Sequence, residues 1–284
     1  MVIPSSGPEE SLQKSINSIL NQTLTPDEII VIRNSLFGLN PESTMKFHEL
    51  GITVIDLGKP CGASVARNMG ISLAASKYVA FLDDDDEWLP HKLEYQLKTM
   101  DAERLNAITT NFWFNREFNR RVFPEQYPHQ VKRDIFRRCH CGPGSTLMIE
   151  RSALLELGKF PEDLIRYEDW YFMIKLRMSG FTYAHSSGVT AVVNRTMHSW
   201  DNNSLAIKQF RDKFAEFDPN AFRAIQNGLV FEEAVNARRA KAHLKCIAKL
   251  SVWIFSYPPN LFYALNRIIF WRTFRFSHSK TKGK

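Results

Sequence analysis

Short apolar runs alternate with helical periodicities through the first hundred residues. Val2 and Ile3 end at Pro4, and beyond Pro8 the residues Leu12, Ile16, Ile19 and Leu20 recur at i, i+4, i+7 and i+8. That spacing predicts a strand followed by an amphipathic helix. Ile29–Ile32, Ile52–Ile55 and Tyr78–Leu82 are three more apolar runs bounded by turn or charged residues. Between the last two, Val65, Met69 and Leu73 stand at i, i+4 and i+8, the apolar face of a helix entered through Gly62-Ala63-Ser64. Continuous apolar strands separated by helices predict an α/β fold with a largely parallel sheet covered on both faces. Ligands of such sheets bind at the carboxyl ends of the strands.

Beyond residue 107 the pattern is mixed. Ile108–Phe114 reads as a strand, a basic and turn-rich stretch follows, and Ser145–Ile149 reads as another strand. Arg151–Leu157 predicts a short helix ending at Gly158, and residues 167–179 a helix with Trp170, Ile174 and Leu176 turned inward. Thr182–Val193 reads as strand again. No internal repeat or low-complexity segment interrupts the order.

Charge divides the chain differently. The 284 residues carry a net charge of +7, yet no acidic residue follows Glu233, and the last 51 residues hold 11 Lys or Arg. Residues 1–233 are left with 26 basic against 30 acidic groups, a slightly acidic body with a cationic tail. Asymmetry of this kind points to a polyanionic partner at one end. At 44% hydrophobic and 24% charged the chain can bury a sizeable core, which excludes global disorder. Four scattered cysteines, Cys61, Cys139, Cys141 and Cys246, fit a reducing compartment better than a disulfide framework. Neither a leader peptide after Met1 nor a membrane-spanning run is expected, so the expected location is cytoplasmic.

The chemistry concentrates at Asp83-Asp84-Asp85-Asp86, four consecutive carboxylates at the end of the Tyr78–Leu82 run. Like charges in a row repel, and a core strand gains nothing by delivering them to its end. A divalent cation reverses that balance, since Mg²⁺ or Mn²⁺ prefers carboxylate oxygens and keeps positions open for substrate phosphates. The plainer alternative is a solvated acidic loop that complements the N-terminus of the helix after Pro90.

Four segments in this order, VIP followed by SINSILNQTLTPDEIIVI, CGASVARNMG, YVAFLDDDDEWLPHKLE and the Glu168-Asp169 pair in LIRYEDWYFMIKL, resemble the family 2 glycosyltransferases of GT-A fold. The resemblance covers about residues 1–205. It implies a Rossmann-like, mixed and mainly parallel sheet with flanking helices, and a catalytic domain over 1–205. The nucleotide half would take residues 1–100 and the acceptor half 101–205, and a helical, basic and aromatic extension would occupy 206–284. It further implies an inverting, metal-dependent transfer of sugar from a nucleotide-sugar donor. Asp83 and Asp85 fall on the family's metal-binding acidic motif, with Asp85 as the direct ligand of Mn²⁺ or Mg²⁺, and Asp84 on a nucleotide contact. Arg67 matches a position that holds the base or a phosphate, and Asp169 the catalytic base. Arg195 and His198 in NRTMHSWDNNS resemble a closing motif at the pyrophosphate, with His198 a further metal ligand. Pro4 and Ser5 fall among the nucleotide contacts, although Ser5-Ser6-Gly7 is not the common form. Arg33 and Asn34 stand where the family carries an acidic pair that helps to hold the base, so UDP-sugar is implied as donor class and the base itself is left open.

Other features carry two readings each. Cys139-His140-Cys141 has metal-binding residue types but no second distant pair for structural zinc. The basic stretch 120–138 suits an anionic acceptor or a solvated face, and Trp88 and Trp170 suit sugar stacking or, more commonly, core packing. Residues 250–276 hold nine aromatics among arginines, broken at Pro258-Pro259. Neither piece is long enough to span, and the mixture fits a helix lying in an anionic membrane surface, which would make the protein peripheral. Packing of these aromatics on the catalytic domain or on a second subunit is the alternative. No nucleic-acid motif accompanies the charge. The expected function is therefore sugar transfer to a glycan or lipid-linked glycan in surface polysaccharide synthesis. The non-enzyme rival is an inactive glycan- or nucleotide-binding module of a membrane assembly.

Overall fold

A computed structural model describes residues 1–115, 121–122, 135–136, 144–194, 200–215, 219–239 and 242–256. They fall into two compact units, one of residues 1–135 and 139–197, the other of residues 136–138 and 198–284.

The first unit opens with a parallel sheet of β1 (Val2–Ser5), β2 (Ile29–Arg33) and β3 (Ile52–Asp56), in that order. Helices α1 (Glu9–Leu20) and α2 (Pro41–Glu49) make the crossovers. Every residue of β1 and β2 is buried, which is why their sequences are continuous apolar runs rather than alternations. Helix α1 buries Leu12, Ile16 and Ile19 as the spacing predicts, but Leu20 is 42% exposed and Ser15 is buried instead. Ser15 turns inward because its hydroxyl donates to the Asp86 carbonyl at 2.6 Å, so this helix braces the acidic run.

A single parallel bridge, Val2 to Phe81, joins this sheet to β4 (Tyr78–Ala80). From there a second sheet runs β4-β8-β6-β9-β5, with β7 on β6. Its strands are β5 (Glu87–Trp88), β6 (Ala107–Asn115), β7 (Arg121–Val122), β8 (Met148–Glu150) and β9 (Tyr183–Asn194). Only β6 and β9 pair in parallel; the other ladders are antiparallel. The architecture is the mixed α/β sheet with flanking helices that the sequence predicts, with parallel pairing weighted toward the N-terminal half. The expected strand at Ser145–Ile149 begins as a 3₁₀ turn, Gly144–Thr146, and becomes extended only at Met148.

Helix α3 (Ala63–Leu73) forms where expected but with a different face inward. Met69 and Leu73 are 39% and 47% exposed, while Ser64, Ala66, Arg67, Asn68, Gly70 and Ile71 are buried. Close approach to β1 demands small residues: a Cβ on Gly70 would lie 2.3 Å from Val2 Cγ1. Asn68 faces inward to donate to the Phe160 carbonyl at 2.8 Å and accept from its N–H at 2.9 Å.

Helix α4 (Lys92–Glu103) packs beside β6 and β9. Lys92 is fully buried with its ammonium 4.1 Å from the Trp88 ring centroid and donating to Gln96, and burial lowers its pKa well below the ordinary lysine value. Helices α5 (Arg151–Glu156) and α6 (Glu168–Met178) complete the unit. Trp88 and Trp170 are both core residues, 3% and 0% exposed.

The second unit is helical, with α7 (Trp200–Phe214), α8 (Pro219–Arg239) and α9 (His243–Ser256). Phe210, Phe214, Ile225, Leu229 and Trp253 are buried, and Phe231 packs on Trp253 with centroids 4.6 Å apart. Glu233 pairs with Arg211 at 2.7 Å and Lys249 at 2.5 Å. On the other face of α9, Leu244, Ile247, Val252 and Phe255 stay 58–85% exposed. No helix among the described residues is long and apolar enough to cross a membrane.

Candidate active site

The carboxyl ends of β1 and β2, the N-terminus of α3 and the acidic run after β4 converge. Asp84 accepts from the Ser6 and Gly7 N–H groups at 2.8 and 2.7 Å, which ties the loop after β1 to the acidic run. Arg33, buried at the end of β2, donates to Ser5 Oγ at 3.0 Å, the Gly7 carbonyl at 2.6 Å and the Phe37 carbonyl at 3.1 Å. Ser5, Arg33 and Asp84 therefore form one braced cluster. Asn34 donates through Nδ2 to the Gly62 carbonyl at 3.1 Å, which fixes the orientation of its amide. Its Oδ1 is buried without a hydrogen-bond partner among the described residues. Pro4 lies within β1, in register with Ile32 and next to Ser5.

The acidic run is a tight turn in which each aspartate meets a different environment. Asp86 is buried, accepting from Ser145 Oγ at 2.5 Å and from the Asn194 N–H at 2.7 Å; burial first, then Asp83, holds its carboxyl well above the usual carboxylate range. It anchors the loop to β9 and the 3₁₀ turn. Asp85 is half-buried, its backbone carbonyl taken by Asn194, and burial followed by the charges of Asp83 and Asp84 pushes its pKa up to about 6. Asp83 pairs with Arg67 at 2.6 Å.

Arg67 also reaches the second acidic pair, with Nη1 2.7 Å from Glu168 Oε1. Burial alone would lower the Arg67 pKa, and Asp83 and Glu168 more than reverse it, so the guanidinium is held charged. Glu168 and Asp169 open α6, whose N-cap Tyr167 sits in the left-handed region at φ 66. That conformation is uncommon for a bulky residue and sets the direction in which the helix begins. Both carboxylates complement the helix N-terminus. Asp169 Oδ1 accepts from the Trp170 N–H at 2.7 Å. Burial, reinforced by Glu168, raises the Asp169 pKa to about 7 against the opposing pull of that N–H and of Arg67.

Fit to a divalent ion rests on the donor set. Among the described residues no three His, Cys, Asp or Glu side chains converge as a metal cage. Mg²⁺-type sites commonly use one or two carboxylates together with substrate phosphates, so Asp83 and Asp85 suffice as the protein's half of such a site. Asp85 supports this, because it makes no ion pair with another described residue and a cation would relieve the repulsion that raises its pKa. Arg195, His198 and the Cys139-His140-Cys141 stretch lie outside the described residues. Glu168 and Asp86 belong to motifs visible in the sequence but carry no separate role there, and Ser145 and Asn194 are not marked by it as partners of Asp86. Glu168 was signalled by its neighbour Asp169; the contacts of Ser145 and Asn194 with Asp86 span 59 and 108 residues and leave no local signature.

The family model for glycosyl transferase family 2 matches residues 1–158. An uncharacterized glycosyltransferase of Methanocaldococcus jannaschii is 30% identical over 175 residues, which are 59% of this chain and 60% of that protein. The Escherichia coli UDP-Glc:alpha-D-GlcNAc-diphosphoundecaprenol beta-1,3-glucosyltransferase WfgD is 24% identical over 223 residues, 77% of this chain and 83% of that one. Among solved structures, Staphylococcus aureus TarS in complex with UDP-GlcNAc matches with a TM-score of 0.64 and 16% identity, covering 89% of this chain and 79% of the other. At that identity the likeness speaks to the fold.

Proposed function

Since the chain belongs to glycosyl transferase family 2, we propose that it moves a sugar from a nucleotide donor, a UDP-sugar, to a hydroxyl of a glycan or lipid-linked glycan with inversion, in surface polysaccharide assembly. The observation that carries this reading is the meeting of two acidic motifs, Asp83–Asp86 and Glu168–Asp169, at the carboxyl end of the strands. Inversion needs a single in-line displacement, with a base on the acceptor side and charge stabilisation on the leaving side. Asp169 is the base: its raised pKa keeps it basic enough to take the acceptor proton near neutral pH. Asp83 and Asp85 would hold Mn²⁺ or Mg²⁺, which supplies neutralisation of the departing diphosphate. Asp84, Arg33 and Ser5 fix the loop that lies under the nucleotide, and the partnerless Asn34 Oδ1 suits a nucleobase N–H. Arg195 closes on the pyrophosphate in this reading.

The relative WfgD is named for a lipid diphosphate acceptor, and the exposed apolar face of α9, with the exposed Lys245 next to Leu244, supports docking on the anionic cytoplasmic face of a membrane. One experiment tests both parts. Full-length protein is floated with vesicles containing anionic lipid at low salt, and the floated fraction is assayed for hydrolysis of UDP-, GDP-, CDP- and dTDP-sugars with Mn²⁺. Flotation and turnover of at least one donor are expected. Nucleotide binding without turnover of any donor would favour the inactive binding module, and protein that stays at the bottom would remove the membrane face.

A further inference from the structure

We propose that Arg67 is a positioning residue that holds the two acidic motifs in register, rather than a nucleotide contact. The proposal rests on the glycosyl-transfer reading above and concerns the internal organisation of the same site. Both terminal nitrogens of the guanidinium are already committed, Nη2 to Asp83 at 2.6 Å and Nη1 to Glu168 at 2.7 Å, and the side chain is only 5% exposed. Phe160 lies 5.8 Å from Cζ, and a Cβ placed on Gly144 would come within 3.0 Å of Nη2. The Nε–H is buried and without a partner, and the second hydrogen on each terminal nitrogen belongs to the same almost wholly buried side chain. A base or phosphate therefore finds neither an open face nor a free fork on this side chain.

What the fork can do is span. Asp83 lies three residues beyond β4 and Glu168 is the first residue of α6, 101 positions from Arg67 in sequence. A planar guanidinium presents two nitrogens to two separate carboxylates at once, which a lysine ammonium cannot reproduce with the same geometry. Through Glu168 it fixes the first turn of α6, where Asp169 is the next residue; through Asp83 it fixes the acidic run. Gly144 completes the device, because any side chain there would push against the fork.

The test uses full-length Arg67→Lys, Arg67→Ala and Gly144→Ala. Each is measured for kcat with a turned-over donor at saturation and for the Kd of the matching nucleoside diphosphate without metal. Circular dichroism reports folding. A positioning role predicts kcat lowered by about 100-fold in both Arg67 variants and about tenfold in Gly144→Ala, with Kd changed less than threefold throughout. Gly144→Ala keeps the charge and carries the test if Arg67→Ala fails to fold. A Kd raised tenfold or more, or a kcat in Arg67→Lys within threefold of wild type, overturns the proposal. Wild-type protein that binds nucleoside diphosphate but turns over no sugar brings down the transfer reading, while the Kd comparison still decides the role of Arg67.

Discussion

Asp169→Asn should lower sugar transfer by roughly 10²- to 10⁴-fold, the usual worth of a positioned general base, with donor Kd changed less than about threefold. The substitution is close to isosteric, and the amide oxygen can still accept from the Trp170 N–H that Asp169 Oδ1 now takes at 2.7 Å. What it removes is the ability to accept a proton. The wild-type carboxyl is raised from 3.8 to about 7, by burial first and by Glu168 next. Below that pKa the base is occupied, so kcat/KM should climb with pH and level off above about 7, and the residual activity of Asp169→Asn should lack that limb. Stability runs the other way. A folded-state pKa raised above the unfolded value contributes stability that is present below about 4 and lost as pH rises through about 7. The wild-type melting temperature should therefore fall over that window more steeply than that of Asp169→Asn. Wild-type turnover in the variant would remove Asp169 from the chemistry.

Asp85→Ala should erase the gain in nucleoside-diphosphate affinity that Mn²⁺ confers, at least about tenfold, while leaving metal-free affinity as it was. Two features make this change cleaner than others in the run. The loop is anchored through Asp86, Asp84 and backbone carbonyls, so truncating the Asp85 side chain leaves its supports in place. And the half-buried Asp85 carboxyl, held near 6 by burial and two neighbouring charges, is ionised at a cost that only a cation offsets. Calorimetric titrations with and without Mn²⁺ separate the two affinities. Equal metal enhancement in wild type and variant would mean that Asp85 is not a ligand.

Much of this arrangement is legible in the amino-acid sequence. The acidic run, the Glu168-Asp169 pair and the apolar strands leading to them are local patterns, and β1, β2, β3 and α6 form where hydrophobic spacing places them. Helix α3 shows where the pattern misleads: Val65, Met69 and Leu73 have the right period, yet the inward face belongs to Ser64, Arg67, Asn68 and Gly70. Close packing on β1 and the polar demands of the site override the preference for burying large apolar groups. The individual duties of the four aspartates were equally hidden. Asp84 and Asp86 differ from Asp85 only through partners at Ser6, Gly7, Ser145 and Asn194, and chain periodicity carries no record of such distant pairings.

The single bridge between the two sheets has a consequence for how the protein comes together. The β1–β2–β3 sheet is complete within residues 1–56 and joins neighbours through short crossovers, whereas β6 and β9 pair across a separation of 76 residues. Loop closure of that length is an entropic cost met before the long-range contacts can repay it. The N-terminal sheet is therefore expected to acquire protection first in pulsed hydrogen exchange during refolding, with amides of Ile29–Arg33 ahead of those of Tyr183–Asn194. Simultaneous protection would contradict that order. If it holds, Asp86 gains its anchor at Asn194 only late, and until nearly two hundred residues have been made the acidic run of a nascent chain rests on its contacts with the loop after β1 and with α1, alone or joined by Ser145.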